Sequence, residues 1–192
     1  MIILETFRYE IYFLVIAFWG VQLLGMHRKL NHYVKRDIFT GLYNKVFFSH
    51  TIQKWINRER SFYFFILDID NFKSINDTYG HAVGDEIILH MSRSLKQILP
   101  NETMISRFGG DEFVFALRNT KEEKFATWLD QLQNLEYKTI DGELIKFTVS
   151  IGVSESTNHT EYKKLYHKAD ENLYMSKKLG KGRYTLNTVL AN

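Results

Sequence analysis

The feature that most constrains this chain is Gly109-Gly110-Asp111-Glu112-Phe113, because apolar segments flank it on both sides. Met104-Ile105-Ser106-Arg107-Phe108 precedes it, and Val114-Phe115-Ala116-Leu117 follows. Two such runs around a Gly-Gly-Asp read as two strands joined by a tight turn. The glycines can take positive φ without a Cβ clash, and they let another molecule approach the backbone. Asp111 and Glu112 then stand at the tip of a rigid hairpin. Acids held there suit a hard cation such as Mg²⁺, or they face water as in an ordinary surface hairpin. The pentapeptide alone leaves both readings open.

A second acidic element favours the cation. Phe62-Tyr63-Phe64-Phe65-Ile66-Leu67 is a continuous apolar run, as expected of a strand buried on both faces. It ends in Asp68-Ile69-Asp70, and carboxylates at the end of a buried strand are costly unless paired or metal-bound. Lys73 follows within the next turn. Strand, acids, loop and lysine resemble a site for a metal-bound nucleoside triphosphate. The acids would hold Mg²⁺, while the loop amides and the Lys73 side chain would hold phosphate.

Further blocks extend the pattern. Asp37-Ile38-Phe39-Thr40-Gly41-Leu42-Tyr43-Asn44-Lys45 opens it, and Asp68 to Asp77 continues through Asn71-Phe72-Lys73-Ser74-Ile75-Asn76. Tyr79-Gly80-His81-Ala82-Val83-Gly84-Asp85 comes next, followed by Arg107-Phe108 and the pentapeptide. Ser150-Ile151-Gly152-Val153-Ser154, Ala169-Asp170-Glu171-Asn172-Leu173-Tyr174 and Ser176-Lys177-Lys178-Leu179-Gly180-Lys181 close it. In this order and spacing the chain resembles the GGDEF-domain diguanylate cyclases, from Asp37 to about Tyr184. Phe39 and Lys45 depart from the family's D-x-L-T-G-L-x-N-R opening.

The resemblance implies a reaction joining two GTP into cyclic di-GMP with release of two pyrophosphates, each 3′-hydroxyl attacking the other's α-phosphate. It implies Asp68 and Asp111 as ligands of two Mg²⁺ per site, with Mn²⁺ as an alternative, joined by the backbone carbonyl of Ile69. Asp111 would also assist deprotonation of the 3′-hydroxyl, with Glu112 beside it as a second catalytic candidate and a weaker metal candidate. Asn76 and Asp85 occupy the guanine-reading positions, which suits a carboxylate accepting from N1–H and N2–H₂ and an Asn bonding N2, N3 or O6. Phe72, Lys73, Lys177 and Lys181 fall at phosphate-binding positions, though Lys181 stands where many relatives have Arg and lacks its bidentate fork. Plainer roles compete: Asp68 as a turn residue, Asn76 and Asp85 as helix caps, and Lys177, Lys178 and Lys181 as a solvated helix end. The family's R-x-x-D product-inhibition site is missing, since its window reads Pro100-Asn101-Glu102-Thr103.

Hydrophobic patterning predicts helices over 44–60, 71–79, 83–99, 121–135 and 162–179. It predicts strands over 62–68, the acidic hairpin, 137–140, 143–153 and 183–186, with Asp141-Gly142 as a type I′ turn. Helices flanking a mostly antiparallel sheet make an α+β domain, and the resemblance implies a palm-like one. Residues 36–187 would form this domain and 188–192 a tail.

The N-terminus differs in composition. Ile11 to Met26 is 16 residues without a charge, close to the ~17 that a membrane-spanning helix needs at minimum. His27-Arg28-Lys29 and Lys35-Arg36 follow it, which predicts a cytoplasmic C-terminal domain. Residues 1–35 are therefore expected to be a single inner-membrane span plus a connector. The alternative is an amphipathic or dimerising helix in solution, with the protein then cytoplasmic. No separate globular sensor is expected before the domain. The absence of Cys excludes a disulfide framework and thiolate metal sites. A net charge of +3, from 25 basic and 22 acidic residues, gives nucleic-acid binding little support. Since each monomer would hold one GTP, catalysis requires a homodimer. The competing reading is a non-catalytic GTP-binding or interaction module.

Overall fold

The computed structural model describes residues 12, 14–23, 26, 35–58, 61–118, 120–157 and 160–186. The chain divides into two compact units, Met1–Arg36 and Asp37–Asn192. In the first, residues 14–23 form a helix, α1. Its Leu14, Ile16, Phe18, Trp19, Val21 and Leu23 are all more than half exposed. Among the described residues no helix is long and apolar enough to cross a membrane, so the span expected over 11–26 is not found there. Residues 11, 13, 24 and 25 of that span, connector residues 29–34 and the tail 188–192 lie outside the described residues.

The second unit runs β1 (Tyr43–Asn44), α2 (Lys45–Ile56), β2 (Phe62–Ile69), α3 (Phe72–Tyr79), α4 (His81–Ile98), β3 (Met104–Gly109) and β4 (Glu112–Arg118). It continues with α5 (Glu122–Gln133), β5 (Asn134–Lys138), β6 (Leu144–Ser156), α6 (Tyr162–Lys178) and β7 (Tyr184–Leu186). The strands form one sheet in the order β1-β3-β4-β2-β6-β5, with β7 also on β6. β1 with β3 and β6 with β7 are parallel, and the remaining pairs are antiparallel. This is an α+β fold with a mixed sheet flanked by helices.

The apolar run at 62–69 becomes the central strand because both of its faces are covered. Phe65, Leu67 and Ile69 join a core built with Ile87, Met91 and Leu95 of α4 and Phe125 and Leu129 of α5. Phe62, Phe64 and Ile66 alternate to the other face, against Phe48 and Ile52 of α2 and Leu165, Ala169 and Leu173 of α6. Each fully buried Phe here stabilises the fold by about 1.5–3 kcal/mol. Gly152 of β6 is required by packing: an added Cβ would fall 2.8 Å from Leu173 Cα and against the Ala169 carbonyl and Leu173 nitrogen. The backbone of α6 therefore rests directly on β6.

Several boundaries differ from the sequence reading. α4 begins at His81 rather than 83, straight after the Gly80 corner at φ +86°. α5 stops at Gln133, and Asn134 already begins β5, whose Leu135 and Tyr137 sit opposite Phe147 and Ile145 of β6. Strand pairing there overrides helical periodicity. β1 was not anticipated; it is two residues long and exists only by pairing with β3. At Asp141-Gly142 only Gly142 takes positive φ, and its N–H closes the turn on the Thr139 carbonyl at 3.0 Å. A type I′ turn needs positive φ at both central residues, so the expected turn is not formed.

Candidate active site

Strand parity decides where the acids emerge. Residues directly opposite in an antiparallel pair project to the same face. Asp68 lies opposite Glu112 on β4 and opposite Ser150 on β6. It continues the parity of Phe64 and Ile66, which pack toward α6, so Asp68 and Glu112 leave the sheet on the α6 side. α6 supplies a partner for each. Lys177 Nζ lies 2.9 Å from Asp68 Oδ1, and the Tyr166 hydroxyl donates to Glu112 Oε1 at 3.0 Å.

Electrostatics mark the same spot. Burial lifts the Asp68 pKa above its ordinary value, and the charges of Asp111 and Asp70 push the same way, while Lys177 pulls it down. Burial and the Glu112 charge raise the Tyr166 hydroxyl, which keeps it a donor to Glu112. Tyr166 stacks on Phe108 with ring centroids 6.1 Å apart, so the donor is held by the strand that leads into the hairpin.

The hairpin tip carrying Asp111 is braced from two directions. Gly110 sits at φ +51°, where a side chain would be strained. Arg107 donates to the Gly110 carbonyl through Nε at 2.9 Å and Nη2 at 2.7 Å. Its Nη1 is 3.6 Å from Asp37 Oδ1. Asp37 in turn accepts from the Thr40 N–H at 2.8 Å and the Thr40 hydroxyl at 2.6 Å. The opening motif thus buttresses the hairpin.

Asp70, which the sequence groups with Asp68 among the acids that would hold Mg²⁺, has its carboxylate engaged as a clamp. It is 4% exposed. Its carboxylate accepts from Thr148 Oγ1 at 2.7 Å, Ser150 Oγ at 2.7 Å and the Gly182 N–H at 2.9 Å. This fastens the loop after α6 to the end of β2. On that loop Lys181, at φ +63°, donates to Asn71 Oδ1 at 2.6 Å. Asn71 itself sits at φ +57° immediately before α3. The two segments expected to hold phosphate are therefore tied to each other. A groove of about 500 Å³ is bordered by Asp70, Asn71, Ile75, Glu136, Lys146 and Thr148. It includes none of the expected site residues.

The remaining expected residues fall as follows. The Ile69 side chain is buried in the core, which leaves only its backbone for a ligand. Phe72 packs against the same core, and Lys73 is exposed in the first turn of α3. Asn76 is half-buried and lies against α4 at Gly84; Asp85 follows on α4 and is exposed. Pro100 to Thr103 form a turn closed by Thr103 N–H to the Pro100 carbonyl at 2.9 Å, with no Arg or Asp in it.

Among the described residues no three His, Asp or Glu side chains gather into a metal cage. Mg²⁺ does not need one, because it is usually held by one or two carboxylates together with substrate phosphates and water. Asp68 and Asp111 are hard oxygen donors close enough for Asp111 to raise Asp68, and Asp68 already holds a cationic ammonium. That donor chemistry fits a divalent cation.

Residues 34–183 match the family described as "Diguanylate cyclase, GGDEF domain". Diguanylate cyclase A of Treponema denticola is 36% identical over 89% of this chain, which corresponds to 47% of that protein. Diguanylate cyclase DosC of Escherichia coli is 33% identical over 86% of this chain and 39% of its own length. The chain thus spans less than half the length of these relatives. Among solved structures, the coiled coil and GGDEF domain of DgcB from Caulobacter crescentus superposes with a TM-score of 0.78 at 25% identity, over 90% of this chain and 96% of that one. With its acidic hairpin, its acid-ended central strand and this match over most of its length, the chain belongs to the diguanylate cyclase GGDEF-domain family.

Proposed function

We propose that this chain condenses two GTP into cyclic di-GMP with release of two pyrophosphates, each bond forming between two copies of the chain. The observation that carries the reading is the pairing of strand-end Asp68 with a braced Asp111-Glu112 hairpin, with Lys177 already neutralising Asp68. Asp68, Asp111 and the Ile69 carbonyl would hold two Mg²⁺, or Mn²⁺. Bound there, the cations stabilise charge on the attacking and leaving oxygens. Asp111 accepts the proton of the 3′-hydroxyl, and Glu112, fixed by Tyr166, supports it. The backbone at Phe72 and the side chains of Lys73, Lys177 and Lys181 take the triphosphate. Asn76 and Asp85 read guanine, and a site built on those bonds rejects adenine because its own polar groups would go unpaired. One chain offers one such site, so a homodimer brings the two nucleotides together.

The test is product formation by the full chain with GTP and Mg²⁺, resolved by chromatography, beside Asp111→Asn. Wild type should yield cyclic di-GMP, and the variant should be slower by about 10²–10⁴-fold. GTP binding by demonstrated dimers without product would replace this reading with a non-catalytic GTP-binding module. For α1 we propose an inner-membrane location with the domain in the cytoplasm, supported by the exposed apolar side chains of residues 14–23 and the basic residues that follow. Recovery of the full chain in the soluble fraction of lysed cells would reject it.

A further inference from the structure

Gly84 is the fourth residue of α4, is buried, and has ordinary helical backbone geometry. Its conformation does not call for glycine, and glycine inside a helix is unfavourable relative to alanine. The demand comes from α3. A Cβ built on Gly84 would fall on Asn76 Oδ1, 3.0 Å from Asn76 Cγ and 3.3 Å from the Phe72 ring at Cζ. The Asn76 carboxamide therefore lies against the bare backbone of α4, with Phe72, one turn earlier on α3, beside it. Phe72 is partly buried and packs against the main core, which resists its displacement. Asn76 is half-buried, and among the described residues no side-chain hydrogen bond takes up its carboxamide. Packing against Gly84 and Phe72 positions this amide, and its polar atoms are left to solvent or a ligand.

We propose that Gly84 is a specificity-positioning residue, whose missing side chain is the seat that aims Asn76 at the 2-amino group of the substrate guanine. The proposal rests on the reading of Asn76 as a base contact and deepens it. A methyl group at 84 forces the carboxamide out of the crease, or α3 away from α4. Either displacement loses a contact to the base while leaving Asp68 and Asp111 where they are.

The experiment compares wild type, Gly84→Ala, Asn76→Ala and the double variant, each as the full chain. KM and kcat are measured with GTP and with inosine triphosphate, which lacks the 2-amino group. Binding of a non-reactive GTP analogue and its inosine counterpart is measured by calorimetry. Gly84→Ala should raise KM for GTP by about tenfold, the loss of one hydrogen-bonded contact, change kcat far less, and narrow the preference for GTP over the inosine nucleotide. Asn76→Ala should do the same, and the double variant should be no worse than Asn76→Ala, because the clashing group is gone. A purely structural glycine would leave the base preference untouched. Losses that multiply in the double variant, or an unchanged base preference in Gly84→Ala, would overturn the proposal. An unchanged preference in Asn76→Ala would overturn it together with the Asn76 contact to the 2-amino group. If the analogue binds with this pattern but wild type makes no product, the cyclase reading fails and the positioning role stands. If Gly84→Ala alone does not fold, a folded double variant with the binding of Asn76→Ala upholds the contact, and an unfolded one overturns it.

Discussion

Replacing Asp70 by Ala tests whether that carboxylate is a clamp or a metal ligand. It removes the acceptor for three donors, Thr148 Oγ1, Ser150 Oγ and Gly182 N–H. A hydrogen bond to a charged group contributes about 1.5–3 kcal/mol net. Ser150 is fully buried, so its hydroxyl loses the whole of that amount. The Thr148 and Gly182 groups are only part-buried, and water recovers much of theirs. The expected loss is about 3–5 kcal/mol, against about 5–15 kcal/mol for a typical domain. With a urea slope of about 2 kcal/mol/M, the unfolding midpoint falls by about 2 M. Urea titration followed by tryptophan fluorescence reads this, with and without Mg²⁺. Ser150→Ala serves as a partial control, expected at about 1–2 kcal/mol. A loss below about 1 kcal/mol without Mg²⁺, growing when Mg²⁺ is added, would falsify the clamp and make Asp70 a metal ligand.

Two further outcomes follow from the geometry. Burial raises Asp68 in the folded state, so the folded chain binds more protons there than the unfolded one, and ionised Asp68 costs stability. That cost is absent below the ordinary carboxylate pKa, grows as pH rises through the window up to the raised folded value, and is full above it. Asp68→Asn should therefore have a higher urea midpoint than wild type at pH 7, with the gain vanishing in acid; a lower midpoint at pH 7 would sink this reading. Gly152→Ala drives a methyl group into the α6 backbone and should destabilise by about 1–3 kcal/mol or more, seen as a lower melting temperature or loss of soluble protein; a melting temperature equal to wild type would contradict the close approach.

The parts of the fold legible in the sequence were those written in consecutive residues. The apolar run of β2 with its acid end, the Gly-Gly turn of β3 and β4, and the periodic stripe of α4 each carry their own pattern. The clamp at Asp70 was not legible, because its two hydroxyl donors and its backbone donor lie 78, 80 and 112 residues further on and no local pattern links them. Tyr166 escaped for the same reason, 54 residues from the Glu112 it holds. β1 escaped because two residues carry no period, and the early end of α5 because strand pairing with β6 outweighs helical spacing. Gly84 stood inside a motif, but its meaning needed α3 folded against α4.

The attachment of α6 has a mechanical consequence. Its backbone rests on Gly152. Asn172 Nδ2 donates to the Val153 carbonyl at 2.6 Å, Ser176 Oγ to the Ile151 carbonyl at 2.8 Å, and Ser154 Oγ returns a bond to the Leu165 carbonyl at 2.9 Å. A helix stitched to a central strand at successive turns moves as one stiff body with it. Lys177 and Tyr166 thus belong to a fixed wall. The opposite wall, α3 and the exposed start of α4, meets at the single Gly80 corner. Amide exchange should therefore be slow along α6 and β6 and faster around residues 77–82, and the GTP binding proposed above should slow it there.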